Sequence, residues 1–103
     1  MVAGDDAWLA RVVEPIVEPE LEIVDPHHHL WAEPHRLAYE LDDLRADTGS
    51  GHRVVATVFV ECQSGYRTDG PEHLRCVGET EYVASRAAAL EAETPDAAPI
   101  VGI

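Results

Sequence analysis

Three consecutive histidines, His27, His28 and His29, are the residues of this chain whose types and spacing most directly suggest chemistry. They lie in the stretch IVDPHHHLW, residues 23–31, whose first two aliphatic residues are typical of a strand. Alternate side chains of a strand share a face, so His27 and His29 should point to one side and His28 to the other. Two neutral imidazoles can bind one divalent ion, with zinc at about 2.0–2.1 Å from each nitrogen. The pattern predicts either a metal site formed by His27 and His29 or a pair of solvated histidines.

The neighbours of the histidines indicate how such a site could be supported. Asp25 lies two residues earlier on the same face, where its carboxylate could orient an imidazole from behind. Trp31 is expected to wall a substrate pocket or to pack in the core. Pro26 has no N–H to give to a sheet, so it should mark a bulge or the end of the strand.

Further candidates follow the second apolar run, RVVATVFVEC, residues 53–62. Alternation places Glu61 and Gln63 on one face, as substrate contacts or as solvated residues at the strand exit. Arg67, in the next loop, could bind a substrate carboxylate with two parallel hydrogen bonds or could be a surface charge. No serine or cysteine lies in a nucleophile motif, so we assign no catalytic residue within the chain. The acidic residues of the last helical segment are interpreted as a solvated face: Glu79, Glu81, Glu91 and Glu93.

The composition excludes several classes of function. The formal net charge is −13 over 103 residues, and all seven basic residues are arginines. This balance argues against nucleic acid and anionic membranes as partners, because both require clustered positive charge. The two cysteines are too few for a disulfide scaffold. Asp5 and Asp6 stand where a secretory leader would be positive, so we expect a cytoplasmic protein.

Apolar patterning divides the chain into an N-terminal part and an alternating part. Residues 1–22 should hold a short helix over 5–13 and an acidic, proline-punctuated connector. Residues 23–103 have extended runs starting near Ile23, Val54 and Pro99. Helical patterns separate these runs, one through Leu37, Leu41 and Leu44 and one over residues 78–92. Strands that alternate with helices predict an α/β fold with a parallel sheet.

Three segments of the chain stand out together: IVDPHHHLW, LDDLRADTGSGHRVVATVFVEC and YRTDGPEHLRCVGETEYV. They resemble the N-terminal part of amidohydrolase family 2, whose members include metal-dependent hydrolases and decarboxylases. The resemblance implies a (β/α)8 TIM barrel, which takes about 250 residues. Residues 23–103 would then be its first βα units, truncated in the third strand.

The same resemblance implies a function. His27 and His29 would hold a divalent metal, zinc being the expected ion, or no metal if the protein is lactonase-like. The substrate would be a small carboxylated molecule, a lactone or an amide. Because the remaining ligands would lie outside these residues, the chain is expected to be inactive alone. The alternatives are a truncated product without catalysis, oligomeric through unpaired barrel edges, and a small metal-binding or interaction module that uses the histidine cluster.

Overall fold

The computed structural model describes residues 5–32 and 37–103, and within these ranges it contains three strands and three α-helices. The strands alternate with the longer helices along the chain, in the order that the apolar pattern predicts. A short 3-10 helix, Glu72–Leu74, precedes the last α-helix. In chain order the elements are α1 Asp6–Leu9, β1 Glu22–His28, α2 Leu41–Thr48, β2 Arg53–Phe59, α3 Val77–Glu93 and β3 Ile100–Gly102.

The three strands form one parallel sheet in the order β1-β2-β3. Strand β1 is irregular near Pro26, where the pairing passes from Asp25 with Thr57 to His28 with Phe59. One extra residue of β1 is therefore accommodated there, which is a bulge. The prediction that Pro26 marks a bulge is confirmed, because proline cannot donate to the ladder.

One face of the sheet packs against α2 and α3 and forms the core. Thr57 is fully buried, and Phe59 is 2% exposed. Each large apolar side chain buried in this way contributes about 1.5–3 kcal/mol to folding. The buried core cluster consists of Leu30, Leu41, Leu44, Phe59, Val83, Leu90 and Ile100.

The opposite face of the sheet carries apolar side chains that these helices do not cover. Val24 pairs with Ala56, which alternates with buried Thr57, and Val24 is 53% exposed. Val101 follows the core residue Ile100 and is 61% exposed. Within residues 5–32 and 37–103, β1 and β3 each pair only with β2. Both outer edges of the sheet are therefore open in this part of the chain.

Two expected element bounds are wrong. The N-terminal helix is one turn, Asp6–Leu9, instead of 5–13. Its apolar side chains are largely exposed, Trp8 at 64% and Leu9 at 55%, and short helices depend on packing for their stability. Strand β2 ends at Phe59, three residues before Cys62.

None of the helices in the described ranges has the length and apolar character needed to cross a membrane.

Candidate functional site

His27 lies in the bulge of β1 and His29 directly follows the end of the strand, and their side chains are adjacent. Their Nε2 atoms are 3.2 Å apart, and their ring planes are perpendicular. The Nδ1 of His29 lies 2.7 Å from the carbonyl oxygen of Val60. Because a carbonyl only accepts, this Nδ1 must carry the proton that it donates, which leaves Nε2 of a neutral His29 with a free lone pair. That lone pair can accept a hydrogen bond from His27 or bind a cation.

The spacing of the two imidazoles fits a shared metal ion. Two nitrogens at about 2.0–2.1 Å from a tetrahedral zinc ion lie roughly 3.3 Å apart, close to the separation seen here. However, no group of three or more His, Cys, Asp or Glu side chains with metal-binding geometry occurs among the described residues. The pair can therefore supply two of the four ligands of such an ion, and water or a partner would have to supply the others.

Asp25 and Trp31 lie near the pair. The sequence predicted that Asp25 would orient an imidazole, whereas the structure shows it bound to the backbone. A carboxylate oxygen of Asp25 accepts a hydrogen bond from the backbone N–H of His27 at 3.1 Å. Asp25 thus shapes the bulge, while the Val60 carbonyl orients the imidazole of His29. Trp31 is half-buried, with its ring 5.2 Å from that of His29.

His28 points to the core side of the sheet, as strand alternation predicts. It is 8% exposed and lies edge-on to Phe59, with the ring centroids 5.9 Å apart. Neither ring nitrogen has a hydrogen-bond partner among the described residues. Burial lowers the pKa of His28 below its ordinary value, because a charged imidazole would lose its hydration there. His28 is therefore an apolar packing residue in its neutral form.

Of the other predicted substrate contacts, Gln63 lies beside Trp31 in one pocket, whereas Glu61 and Arg67 do not line that pocket. Since β2 ends at Phe59, strand alternation does not extend to Glu61, which is exposed, or to Gln63. Gln63 has a φ of 63°, a left-handed conformation that is uncommon for residues other than glycine. It lines a pocket of about 330 Å³ together with Trp31. The guanidinium of Arg67 already forms an ion pair with Glu81, so a substrate carboxylate would have to displace that side chain.

Glu79 is the buried polar residue that the sequence interpretation missed. It is 5% exposed, and one carboxylate oxygen accepts the backbone N–H groups of Cys62 at 3.0 Å and Ser64 at 2.6 Å. The interpretation of Glu79 as part of a solvated face is wrong. Its spacing could have indicated this, because it lies one helical turn before the core residue Val83.

A family model of the Sushi repeat (SCR repeat) matches residues 33–83, which are 51 of the 103 residues. The chain is similar to that repeat over this segment. Comparisons with curated proteins and with solved structures give no significant match.

The match overturns the resemblance to amidohydrolase family 2. It includes residues 41–62 and 66–83, on which two of the three resembling segments lie, and over these residues the chain is similar to a complement-control-type module instead. The predicted hydrolase or lactonase activity and the TIM-barrel fold are wrong with it. The resemblance depended on short local patterns, and a pattern such as D-x-H-x-H specifies local geometry that unrelated proteins share.

Proposed function

We propose that this protein is a non-catalytic module that binds another protein through its N-terminal arm, residues 5–22, and the adjoining Val24. The observation that carries this proposal is the position of its exposed apolar side chains. Of the twelve large apolar residues exposed in the described ranges, seven lie between residues 8 and 24. They are Trp8, Leu9, Val12, Val13, Val17, Leu21 and Val24. A concentration of exposed apolar side chains in one segment is characteristic of interaction sites.

The arm contacts the rest of the protein through Ile16. Ile16 is the one residue of 5–22 that is half-buried, and its neighbours in the arm are exposed. A Cβ placed on Gly51 would lie 2.4 Å from the Cδ1 atom of Ile16, so this side chain rests directly on the glycine backbone. Val13 and Val17, at 88% and 91% exposure, extend to either side of this anchor. Burying such side chains against a partner would contribute about 25 cal/mol for each Å² of apolar surface.

The Sushi similarity supports an interaction role without depending on the arm. Sushi repeats generally mediate protein–protein interactions, and the matched segment begins after the arm.

The test is affinity purification of the tagged full chain from its native cells, followed by quantitative mass spectrometry. Val13→Asp should remove a specific co-purifying protein, because it places a charge in the proposed interface. Val13 is exposed, so this substitution should not affect folding. Thr80→Asp, an exposed position on α3, makes the same charge change elsewhere and should leave that protein bound. Equal recovery of every co-purifying protein with both variants would contradict the proposal.

The cytoplasmic location predicted from the sequence stays a prediction. Sushi repeats are usually extracellular, so the two indications differ. Detection of the native protein in separated cytoplasmic and secreted fractions decides between them, and it also defines the pool in which the partner must be sought.

Binding of a divalent metal by His27 and His29 is a second candidate function, favoured by the 3.2 Å separation of their Nε2 atoms. Zinc is the expected ion, and two protein ligands should bind it weakly. Isothermal titration should detect one zinc site in the native chain and none in His27→Ala/His29→Ala. His73→Ala, at an exposed position of the 3-10 helix, is the matched control and should retain the site. Undetectable zinc binding by the native chain would exclude this function.

A further inference from the structure

We infer that the partner presents a cationic segment, with lysine or arginine next to an aliphatic side chain, to a groove between the N-terminal arm and the start of β1. This inference rests on the proposed function and identifies the chemistry of the partner at that surface. It follows from the volume of the groove, from its apolar lining and from the charge around it.

The groove has a volume of about 460 Å³ and lies beside the point where Ile16 contacts Gly51. Its apolar lining includes Ile16, Leu21 and Ile23. Leu21 is 57% exposed, so much of this apolar surface faces solvent. The volume and lining suit aliphatic side chains of a bound segment.

Two carboxylates, those of Glu14 and Glu18, also line the groove. Neither forms an ion pair within the part of the chain that the structure describes, whereas the nearby Glu22 pairs with Arg53 at 3.1 Å. Residues 5–25 hold seven acidic residues and one basic residue, Arg11. An aliphatic groove in such surroundings is complementary to an apolar segment that carries positive charge.

The same charge disfavours a second copy of this chain as the occupant. Self-association through the arm would bring two strongly acidic segments together, in a protein whose net charge is −13. Like charges at an interface oppose association. A basic partner gains attraction from the same carboxylates.

The experiment measures binding of the full chain to a short fluorescent peptide of alternating leucine and lysine, by fluorescence anisotropy near neutral pH. A peptide of alternating leucine and glutamate is the control ligand and should not bind. Glu14→Gln/Glu18→Gln should weaken binding of the lysine peptide about tenfold. Glu72→Gln/Glu91→Gln removes the same charge at exposed sites and should change the affinity less than about twofold.

The apolar part of the groove is tested with the same peptide. Leu21→Gln should weaken binding by about fivefold, whereas Leu74→Gln, at another exposed leucine, should have little effect. Equal weakening by the two charge-removing variants would overturn the inference, because binding would then reflect net charge alone. A dimer of the native chain in light scattering that Glu14→Gln/Glu18→Gln abolishes would overturn it too, by identifying a second copy as the occupant.

These results are separable from a failure of the proposed function. Suppose that a cellular partner loses binding to Val13→Asp but binds Glu14→Gln/Glu18→Gln as it binds the native chain. That result would contradict the cationic-segment inference and leave the interaction role intact. Absence of any partner that depends on Val13 would contradict the interaction role itself.

Discussion

Glu79 provides the sharpest test of how the loop after β2 is held. Its buried carboxylate accepts two backbone N–H groups, from Cys62 and Ser64. These hydrogen bonds connect the first turn of α3 to the chain that leaves the sheet. Gln63, between the two donors, adopts its left-handed conformation in this same loop. Removing the carboxylate would leave both N–H groups without their acceptor.

The cost of that removal can be estimated from the two bonds. A hydrogen bond to a charged group contributes about 1.5–3 kcal/mol, and an unpaired buried donor costs about 1–3 kcal/mol. Water entering the vacated space offsets part of this loss, so Glu79→Ala should lower the free energy of unfolding by roughly 2–4 kcal/mol. Glu79→Gln keeps one acceptor oxygen and should cost about 1–2 kcal/mol.

The assay is equilibrium unfolding in urea, with the midpoint and slope of each transition compared. Glu91→Ala is the matched control, since it removes an exposed glutamate from the same helix and should change stability by less than about 0.5 kcal/mol. A loss below about 0.5 kcal/mol for Glu79→Ala would refute the reasoning. It would mean that the two N–H groups find other acceptors without cost.

Three further predictions concern the core and its polar contacts. Leu90 is 2% exposed, and Leu90→Ala should lower the free energy of unfolding in urea by about 2–4 kcal/mol. Leu74 is 44% exposed, and Leu74→Ala should lower it by less than about 1 kcal/mol. Equal losses of stability would contradict the assigned core. His28 has a lowered pKa in the folded state, so the unfolded state takes up its proton first and stability should fall as pH drops below about 6.5. His28→Phe should reduce this fall between pH 7 and 5. If the stability of the His28→Phe variant depended on pH as that of the native chain does, the burial of a neutral imidazole would be contradicted. Tyr82→Phe, which removes the hydroxyl that donates to Glu40, should cost about 1–2 kcal/mol, and an unchanged midpoint would show that this contact contributes nothing.

Much of the secondary structure could be predicted from the sequence. Helix α3 spans Val77–Glu93 and was expected over residues 78–92, because its alanine content and apolar spacing act locally. The strand starts were also within about a residue of the expected positions. The end of β2 was not predictable in this way. The backbone N–H groups of Cys62 and Ser64 donate hydrogen bonds to Glu79, which lies at least fifteen residues later in the chain. A local sequence pattern does not indicate a contact over that separation.

The candidate site was predictable only in part. Strand alternation correctly placed His27 and His29 together and His28 on the opposite face. The bonding of Asp25 to the backbone depends on the bulge at Pro26, which alternation does not describe. The family and the activity were wrong because a few local residues were taken to indicate a whole barrel. The exposure of the arm was not predicted either, because a helix over residues 5–13 was expected where the structure has one turn.

The central claim, that the N-terminal arm contacts a partner protein, is tested most directly by photo-cross-linking in native cells. A photoreactive amino acid at position 13, in the arm, is compared with the same amino acid at position 80, on α3. The account predicts a discrete protein adduct from position 13 that position 80 does not give. No adduct from position 13, or the same adducts from both positions, would contradict it.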